Sequence, residues 1–331
     1  MRVSFGFVLA VFLLVFVSCG QPNRSGNTVI TTDTRIPVPD FDADSAFYFV
    51  ERQMAFGPRV PGTRAHAECA RWIEQTVSRF ADEVIVQRFT ARIWNGDLKN
   101  GVNIIASFYP ERQQRILLGA HWDSRAVADH DPDPANWHKP TPGANDGGSC
   151  AGVLLEIARQ LSINRPNIGI DLIFFDLEDQ GTPHFEQRSL RDEYTWALGA
   201  QHWAHNPHRP NYRANYGILI CMVGASNPRF GREGFSMQYA PDVMERVWRT
   251  ARGMGFGHAF VNEPSGHIIN DHLFVNRYAG IPMINIIDHC LRRPTGFFTQ
   301  WHTIHDDMSI IDRNTLRMVG QVVLAHIYQY Q

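Results

Sequence analysis

Four short apolar runs constrain the fold of this chain more than any other feature of its sequence. They lie at residues 116–120, 172–175, 218–220 and 283–287, and polar residues follow most of them at once. Runs of this length without polar alternation are typical of strands that are buried on both faces of a parallel sheet. Helical stretches lie between the runs, and this alternation predicts an α/β fold.

Helices and a hairpin complete the predicted architecture. Helical spacing of apolar residues covers residues 64–80, 149–161 and 314–328. Strand-like alternation at 84–93 and a turn-rich stretch before 102–108 predict a hairpin. The pattern contains no internal repeat. We therefore expect residues 41–331 to form a single α/β domain with a mixed, mainly parallel central sheet flanked by helices.

The first nineteen residues differ in composition from the rest of the chain. A positively charged start is followed by an apolar stretch that ends at Ser18 and Cys19, which is the pattern of an export signal. Because a small residue before a cysteine resembles a bacterial lipobox, we expect residues 1–19 to direct export to the periplasmic side and Cys19 to carry a lipid anchor. Ordinary signal cleavage near the same place is the alternative. Residues 20–40 have the composition of a flexible tether.

Charge and cysteine content exclude several classes of function. The formal net charge is -2, and acidic and basic residues are mixed along the chain, so we expect no nucleic-acid partner. The remaining cysteines contain no close pair, which argues against a disulfide framework and against a zinc cage of thiolates. These cysteines are Cys69, Cys150, Cys221 and Cys290. We expect a monomer whose contact with a membrane is limited to the lipid anchor.

Carboxylates and imidazoles follow the predicted buried strands. They are concentrated at residues 121–124, 143–148, 176–179, 288–289 and 301–307. In open α/β sheets, ligands bind beyond the carboxyl ends of the strands. Carboxylate oxygen and imidazole nitrogen without thiolate suit a catalytic zinc ion that keeps one coordination position open. Each cluster alone is more often a turn, a helix cap or a solvated strand end, but their joint placement favours a metal site.

Five motifs occur in an order and spacing that carry a family resemblance. They are His121-Trp122-Asp123-Ser124, Gly143-Ala144-Asn145-Asp146, Phe174-Phe175-Asp176-Leu177-Glu178-Asp179, Asn270-Asp271-His272 and Trp301-His302-Thr303. Together they resemble the zinc-aminopeptidase-like glutaminyl cyclases, from about residue 56 to the end of the chain. The resemblance implies a zinc-dependent acyltransferase that converts the amino-terminal glutamine of peptides or exported proteins to pyroglutamate and releases ammonia.

The resemblance also implies roles for individual residues. One zinc ion would be held by Asp146, Asp179 and His302. Glu178 would act as the general base and acid, and Asp271 would assist it. The substrate pocket would be formed by Trp301, Trp196, Cys221 and His121. The long stretch at 127–141 and the loop at 181–195 are similar to those of the bacterial members of the family.

Cys221 departs from the family pattern. At this position the related aminopeptidases have an Asp that holds a second zinc together with the counterpart of His121, and the cyclases keep the Asp as a hydrogen-bonding partner. A thiol is a weak donor where a carboxylate offers strong acceptors, so a second metal is disfavoured. Two alternatives stay open, namely a zinc aminopeptidase and a peptide-binding relative with impaired catalysis. The resemblance also implies that a disulfide of the animal members cannot form here, because Cys150 matches one of its cysteines and Ala120 occupies the position of the other.

Overall fold

The structure is a computed structural model that describes residues 1–2, 36–187 and 189–329. Most of the expected export signal, its Cys19 and most of the expected tether lie outside these residues. Within them, the chain from residue 36 onward belongs to one compact unit. No helix in the described ranges has the length and apolar character that are needed to cross a bilayer.

Strands and helices alternate along most of the described chain. The strands are β1 (Glu83–Arg92), β2 (Leu98–Phe108), β3 (Arg115–His121), β4 (Gly169–Phe175), β5 (Tyr216–Cys221), β6 (Phe230–Arg232), β7 (Phe260–Pro264) and β8 (Met283–Ile287). The α-helices are α1 (Ala43–Met54), α2 (Arg64–Val77), α3 (Cys150–Ile163), α4 (Leu198–His205), α5 (Gly234–Tyr239), α6 (Pro241–Gly253), α7 (Asp271–Phe274) and α8 (Arg313–Tyr328). The four apolar runs form β3, β4, β5 and β8, as the sequence predicts.

The main sheet has six strands in the order β1-β2-β4-β3-β5-β8. Strands β4, β3, β5 and β8 pair in parallel. Strand β2 pairs antiparallel with both β1 and β4, so the predicted hairpin forms one edge of the sheet. The architecture confirms the predicted mixed, mainly parallel α/β class. A separate small sheet of β6 and β7 was not predicted, because a strand of three residues leaves no readable periodicity.

Hydrophobic cores cover both faces of the sheet. In β3, Ile116 and Leu118 belong to the core that packs against α1, α3 and α8. Leu117, which points to the opposite face, belongs to a second core with Trp203 of α4 and Phe274 of α7. Because both faces are covered, the ends of the strands are the places where polar side chains of the sheet collect.

The folded chain begins earlier than the sequence predicts. The carbonyl oxygen of Pro39, in the expected tether, accepts a hydrogen bond from Gln321 Nε2 at 3.0 Å. Helix α1, which was not predicted, follows directly. Asp42 caps it by accepting hydrogen bonds from the backbone N–H groups of Asp44 and Ser45. Ile36 and Val38 also pack against the main core, so contacts with the folded domain start within the stretch that was expected to belong to the tether.

We expect Leu118→Ala to lower the free energy of unfolding by about 2–5 kcal/mol. Leu118 lies in the interior strand β3 and is 2% exposed, so the truncation leaves a cavity between packed neighbours. Equilibrium unfolding in urea measures the loss. Leu98→Ala is the matched control, because this leucine is 62% exposed and its loss is expected to stay within about 0.5 kcal/mol. Equal losses would contradict the packing described for β3.

Candidate functional site

The carboxyl ends of the parallel strands open into a cavity of about 320 Å³. Its lining includes Asp146, Glu178, Asp179, Trp196, Cys221, Trp301 and His302. Every site residue expected from the sequence therefore lines this cavity, except for His121 and Asp271. Residues far apart along the chain meet here because parallel strands place their carboxyl ends at one edge of the sheet.

Three of the lining residues form a group of candidate metal ligands. Asp146, Asp179 and His302 offer ligand atoms that all lie within 4.8 Å of one another. His302 Nε2 lies 3.2 Å from Asp179 Oδ1 and 3.6 Å from Asp146 Oδ2. All three side chains are buried, and Asp179 Oδ2 has no hydrogen-bond partner among the described residues. Two buried carboxylates and one imidazole are suitable ligands for a zinc ion. The positive charge of the ion would offset the repulsion between the two carboxylates.

Glu178 stands next to this group, directly after the turn that follows β4. Its backbone N–H donates to Asp123 Oδ1 at 3.1 Å, and the N–H of Asp179 donates to Asp123 Oδ2 at 3.3 Å. Burial raises the pKa of Glu178 well above its usual range, and the charge of Asp271 adds to the effect. Asp271 is fully buried, and neither of its carboxylate oxygens has a hydrogen-bond partner within the described ranges.

Left-handed backbone conformations surround the cavity. Leu177, Met222 and His302 have φ angles of 52°, 51° and 55°. Each lies beside a candidate site residue or is one itself. Residues with a Cβ adopt this conformation at an energetic cost, so the surrounding contacts must hold it in place. Leu177 and Met222 lie where the chain leaves β4 and β5, and their neighbours Glu178 and Cys221 line the cavity.

The backbone is kinked at Asp146, just before α3 begins. Asp146 and Gly147 leave the helical conformation, and Gly147 has a φ of 90°. A Cβ atom on Gly147 would lie 2.3 Å from the carbonyl oxygen of Asp123, so only glycine fits there. The carboxylate of Asp306 accepts hydrogen bonds from the N–H groups of Asn145 at 2.7 Å and of Asp146 at 3.0 Å. Asp306 thereby fixes the position of the backbone segment that contains Asp146.

A second group of candidate ligands overlaps the first. His121, Asp146 and Cys221 also offer atoms within 4.8 Å of one another. His121 Nε2 lies 3.1 Å from Asp146 Oδ1, and its Nδ1 lies 3.4 Å from Asp123 Oδ1. His121 is not among the residues that line the cavity; its side chain is fully buried, and both ring nitrogens face carboxylates. Cys221 lines the cavity, and the neighbouring Cys150, together with burial, raises the pKa of its thiol well above its usual range.

Aromatic rings enclose the candidate ligands. The ring of Trp301 stacks on His302 with a centroid distance of 3.7 Å and on Phe297 with a distance of 4.2 Å. Trp196 is also stacked on His302, at 6.2 Å. The two tryptophans that were expected in the pocket therefore contact the same imidazole. Rings packed in this way offer a rigid apolar wall beside polar groups.

Three buried carboxylates at this site were not singled out from the sequence as functional. Asp123 orients the backbone of Glu178 and Asp179, Asp129 lies 3.1 Å from His302 Nδ1, and Asp306 holds the backbone at Asp146. The sequence could have indicated Asp123, because it follows His121 by two residues in one of the five motifs. Asp306 lay in the polar cluster at 301–307, but no role was assigned to it. Asp129 had no signal, since an aspartate in a long loop is typically a solvated residue.

The chain is similar in sequence and in structure to several known proteins. The sequence model of peptidase family M28 matches residues 103–327. A crystal structure of a zinc-dependent exopeptidase from Parabacteroides distasonis is 48% identical, with a TM-score of 0.87, over 89% of this chain and 100% of that chain. The glutaminyl cyclase of Bacteroides thetaiotaomicron, solved with N-acetylhistamine bound, is 46% identical, with a TM-score of 0.87 and the same coverage of both chains. Glutaminyl-peptide cyclotransferase from Bos taurus is 26% identical over 300 residues, which are 82% of this chain and 78% of that protein.

These similarities confirm the resemblance that the five motifs carry. They extend over nearly all of the described domain, and the relatives of known structure share its α/β architecture. The matched region contains the candidate ligands Asp146, Asp179 and His302 together with Glu178. The chain belongs to peptidase family M28, and its relatives include glutaminyl cyclases and zinc-dependent exopeptidases.

Proposed function

We propose that the protein is a zinc-dependent glutaminyl-peptide cyclotransferase, which converts the amino-terminal glutamine of a peptide or exported protein to pyroglutamate and releases ammonia. The observation that carries the proposal is the position of Glu178 beside Asp146, Asp179 and His302 in one small cavity. Similarity to the glutaminyl cyclases of Bacteroides thetaiotaomicron and Bos taurus supports it. The activity belongs to the acyltransferases.

The proposed mechanism assigns one zinc ion to Asp146, Asp179 and His302. When bound, such an ion supplies a Lewis acid for the γ-carbonyl oxygen of the substrate glutamine. Glu178 takes a proton from the α-amine as the amine nitrogen bonds to the side-chain amide carbon (Cδ), and it returns a proton to the amide nitrogen that leaves as ammonia. One C–N bond forms and another breaks, so the reaction consumes no water. Asp271, whose charge acts on Glu178, assists in holding the amine.

The aromatic wall suits a ring closure within one molecule. Nucleophile and electrophile belong to the same glutamine, so the site has to hold this residue in a folded conformation. Stacking on Phe297 and His302 fixes the ring of Trp301, and the part of this ring that lines the cavity offers an apolar surface to the aliphatic part of the glutamine side chain. A cavity of about 320 Å³ accommodates one such residue with part of the peptide that follows it.

An aminopeptidase is the second candidate function. The group of His121, Asp146 and Cys221 favours it, because hydrolysis by related enzymes uses a second metal and an activated water. The neighbouring Cys150, together with burial, raises the pKa of the Cys221 thiol well above its usual range, and a thiol binds zinc only as the thiolate. The cyclase, which needs one metal, therefore fits these side chains better.

The proposal extends to the location of the enzyme. We propose that residues 1–19 direct export and that Cys19 carries the lipid that anchors the protein on the periplasmic side. A monomer tethered in this way meets the amino-terminal ends of peptides and exported proteins. Both features rest on the pattern of the sequence.

Incubation of the purified, zinc-loaded protein with two peptides tests the proposed function. One peptide begins with glutamine and the other with leucine, and mass spectrometry follows both. We expect the first peptide to lose the mass of one ammonia and the second to remain intact. Removal of the leucine would support the aminopeptidase. No change in either peptide would support the peptide-binding relative with impaired catalysis and would overturn the proposal.

A further inference from the structure

A buried ion pair lies beside the candidate metal ligands. Arg125 Nε donates to Asp129 Oδ1 at 2.7 Å, and Arg125 Nη2 donates to Asp129 Oδ2 at 2.9 Å. The two side chains are 1% and 2% exposed. The contact is therefore bidentate, with the guanidinium plane matched to both carboxylate oxygens.

Each member of this pair also contacts one candidate ligand. Asp129 Oδ1 lies 3.1 Å from Nδ1 of His302. Arg125 Nη1 donates to the carbonyl oxygen of Asp179 at 3.0 Å and to its Oδ1 at 3.3 Å. A proton on Nδ1, donated to Asp129, leaves the lone pair of His302 on Nε2, which is the nitrogen that faces Asp146 and Asp179. The pair thus sets the tautomer of the imidazole and the orientation of one carboxylate.

The same pair connects three loops. The backbone N–H of His184, in the loop at 181–195, donates to Asp129 Oδ2 at 2.9 Å. The N–H of His130, next to Asp129, donates to the carbonyl oxygen of His302 at 3.1 Å. On its other side, the guanidinium of Arg125 lies 4.8 Å from the ring of Trp196. The long stretch at 127–141 is therefore connected directly to the cluster.

Stability alone does not account for an ion pair at this place. Desolvation of two charges offsets most of their attraction, so a buried pair is weak evidence for a stabilising role. Asp129 lies within ligand distance of His130 and His302, but its oxygens already have other partners. Arg125 donates to both of them, and the His184 N–H and His302 Nδ1 each contact one. Instead, the pair fixes the orientation of the His302 ring and of the Asp179 carboxylate.

We propose that Arg125 and Asp129 are positioning residues for the zinc site, and that they raise its affinity for the ion by orienting His302 and Asp179. The inference rests on the proposed function, since it presupposes that these ligands bind zinc. Hydrogen-bonded partners of metal ligands typically contribute a factor of about 10 to 100 in metal affinity. We expect Asp129→Asn, which keeps the shape but removes the charge, to weaken zinc binding by about this factor.

Competition with a chromophoric chelator measures the zinc dissociation constant of the full chain and of its variants. Asp171→Asn is the matched control. Asp171 forms an equally buried bidentate pair with Arg115, with distances of 2.6 and 2.8 Å, at the opposite end of β3 and β4. Both substitutions break a buried pair, and a thermal scan records the loss of stability in each. The expected zinc dissociation constant rises for Asp129→Asn and stays at the wild-type value for Asp171→Asn.

The outcomes separate the positioning role from a structural one. An unchanged dissociation constant in Asp129→Asn, or an equal change in both variants, would overturn the inference and leave the proposed function intact. If Asp129→Asn does not fold, Arg125→Lys decides, because it keeps the positive charge and loses the bidentate contact. Wild-type zinc affinity in folded Arg125→Lys would then overturn the inference. Wild-type protein that binds no zinc would overturn the proposed function itself.

Discussion

Glu178→Gln is expected to lower the rate of ammonia release from a glutamine-initiated peptide by roughly 100- to 10,000-fold. The substitution keeps the size of the side chain and removes the group that carries the proton between the α-amine and the leaving ammonia. Zinc binding should persist, because Glu178 is not among the three candidate ligands Asp146, Asp179 and His302. Turnover is measured with a coupled ammonia assay and zinc content by elemental analysis of the purified variant.

A second buried glutamate supplies the control for this experiment. Glu156 lies in α3, is fully buried and accepts hydrogen bonds from Arg159 and Gln160. Glu156→Gln makes the same chemical change outside the cavity, so turnover should stay at the wild-type level once the protein is folded. Full activity in Glu178→Gln would remove Glu178 from the role proposed for it. Loss of zinc together with activity would show that the substitution acts on the metal site instead.

Removal of the metal is expected to abolish turnover completely. The substrate carbonyl then loses its Lewis acid, and the buried carboxylates of Asp146 and Asp179 repel each other without a cation. Dialysis against a chelator should reduce activity to background, and one equivalent of zinc should restore it. A bound ion also stabilises the folded state, by about 2.7 kcal/mol when free zinc is at 100 times its dissociation constant. Urea unfolding with and without zinc measures this difference.

Substitution of a ligand gives an independent version of the same experiment. His302→Ala removes the imidazole from the cluster and should prevent both zinc binding and turnover. His326→Ala is the control, because this buried histidine lies in α8 and contacts Tyr216 rather than the cavity, so its zinc content should match that of the wild type. Two zinc ions per wild-type chain would contradict the single site and favour the group that contains His121 and Cys221.

Local sequence patterns predicted some elements of the fold and missed others. The runs that form β3, β4, β5 and β8 were readable because burial on both faces requires uninterrupted apolar sequence. Helix α1 was missed, although Asp42 caps it, because its short amphipathic face follows a stretch with the composition of a tether. His121 was expected in the pocket from its motif. Its full burial and its contact with Asp146 depend on how the loops after the strands pack together, and no motif records that.

The sequence by itself determined the class of the fold and the segments that form its buried strands, and its resemblance to the glutaminyl cyclases indicated the candidate ligands Asp146, Asp179 and His302. Apolar periodicity and short motifs are local properties, so they can be read without knowledge of contacts. Only the tertiary structure decided what holds the candidate ligands. Asp129 meets His302 across 173 positions of sequence, and Asp306 meets Asp146 across 160. Hydrogen bonds of this kind depend on distances and angles that arise when the loops are packed together, and no spacing along the chain encodes them.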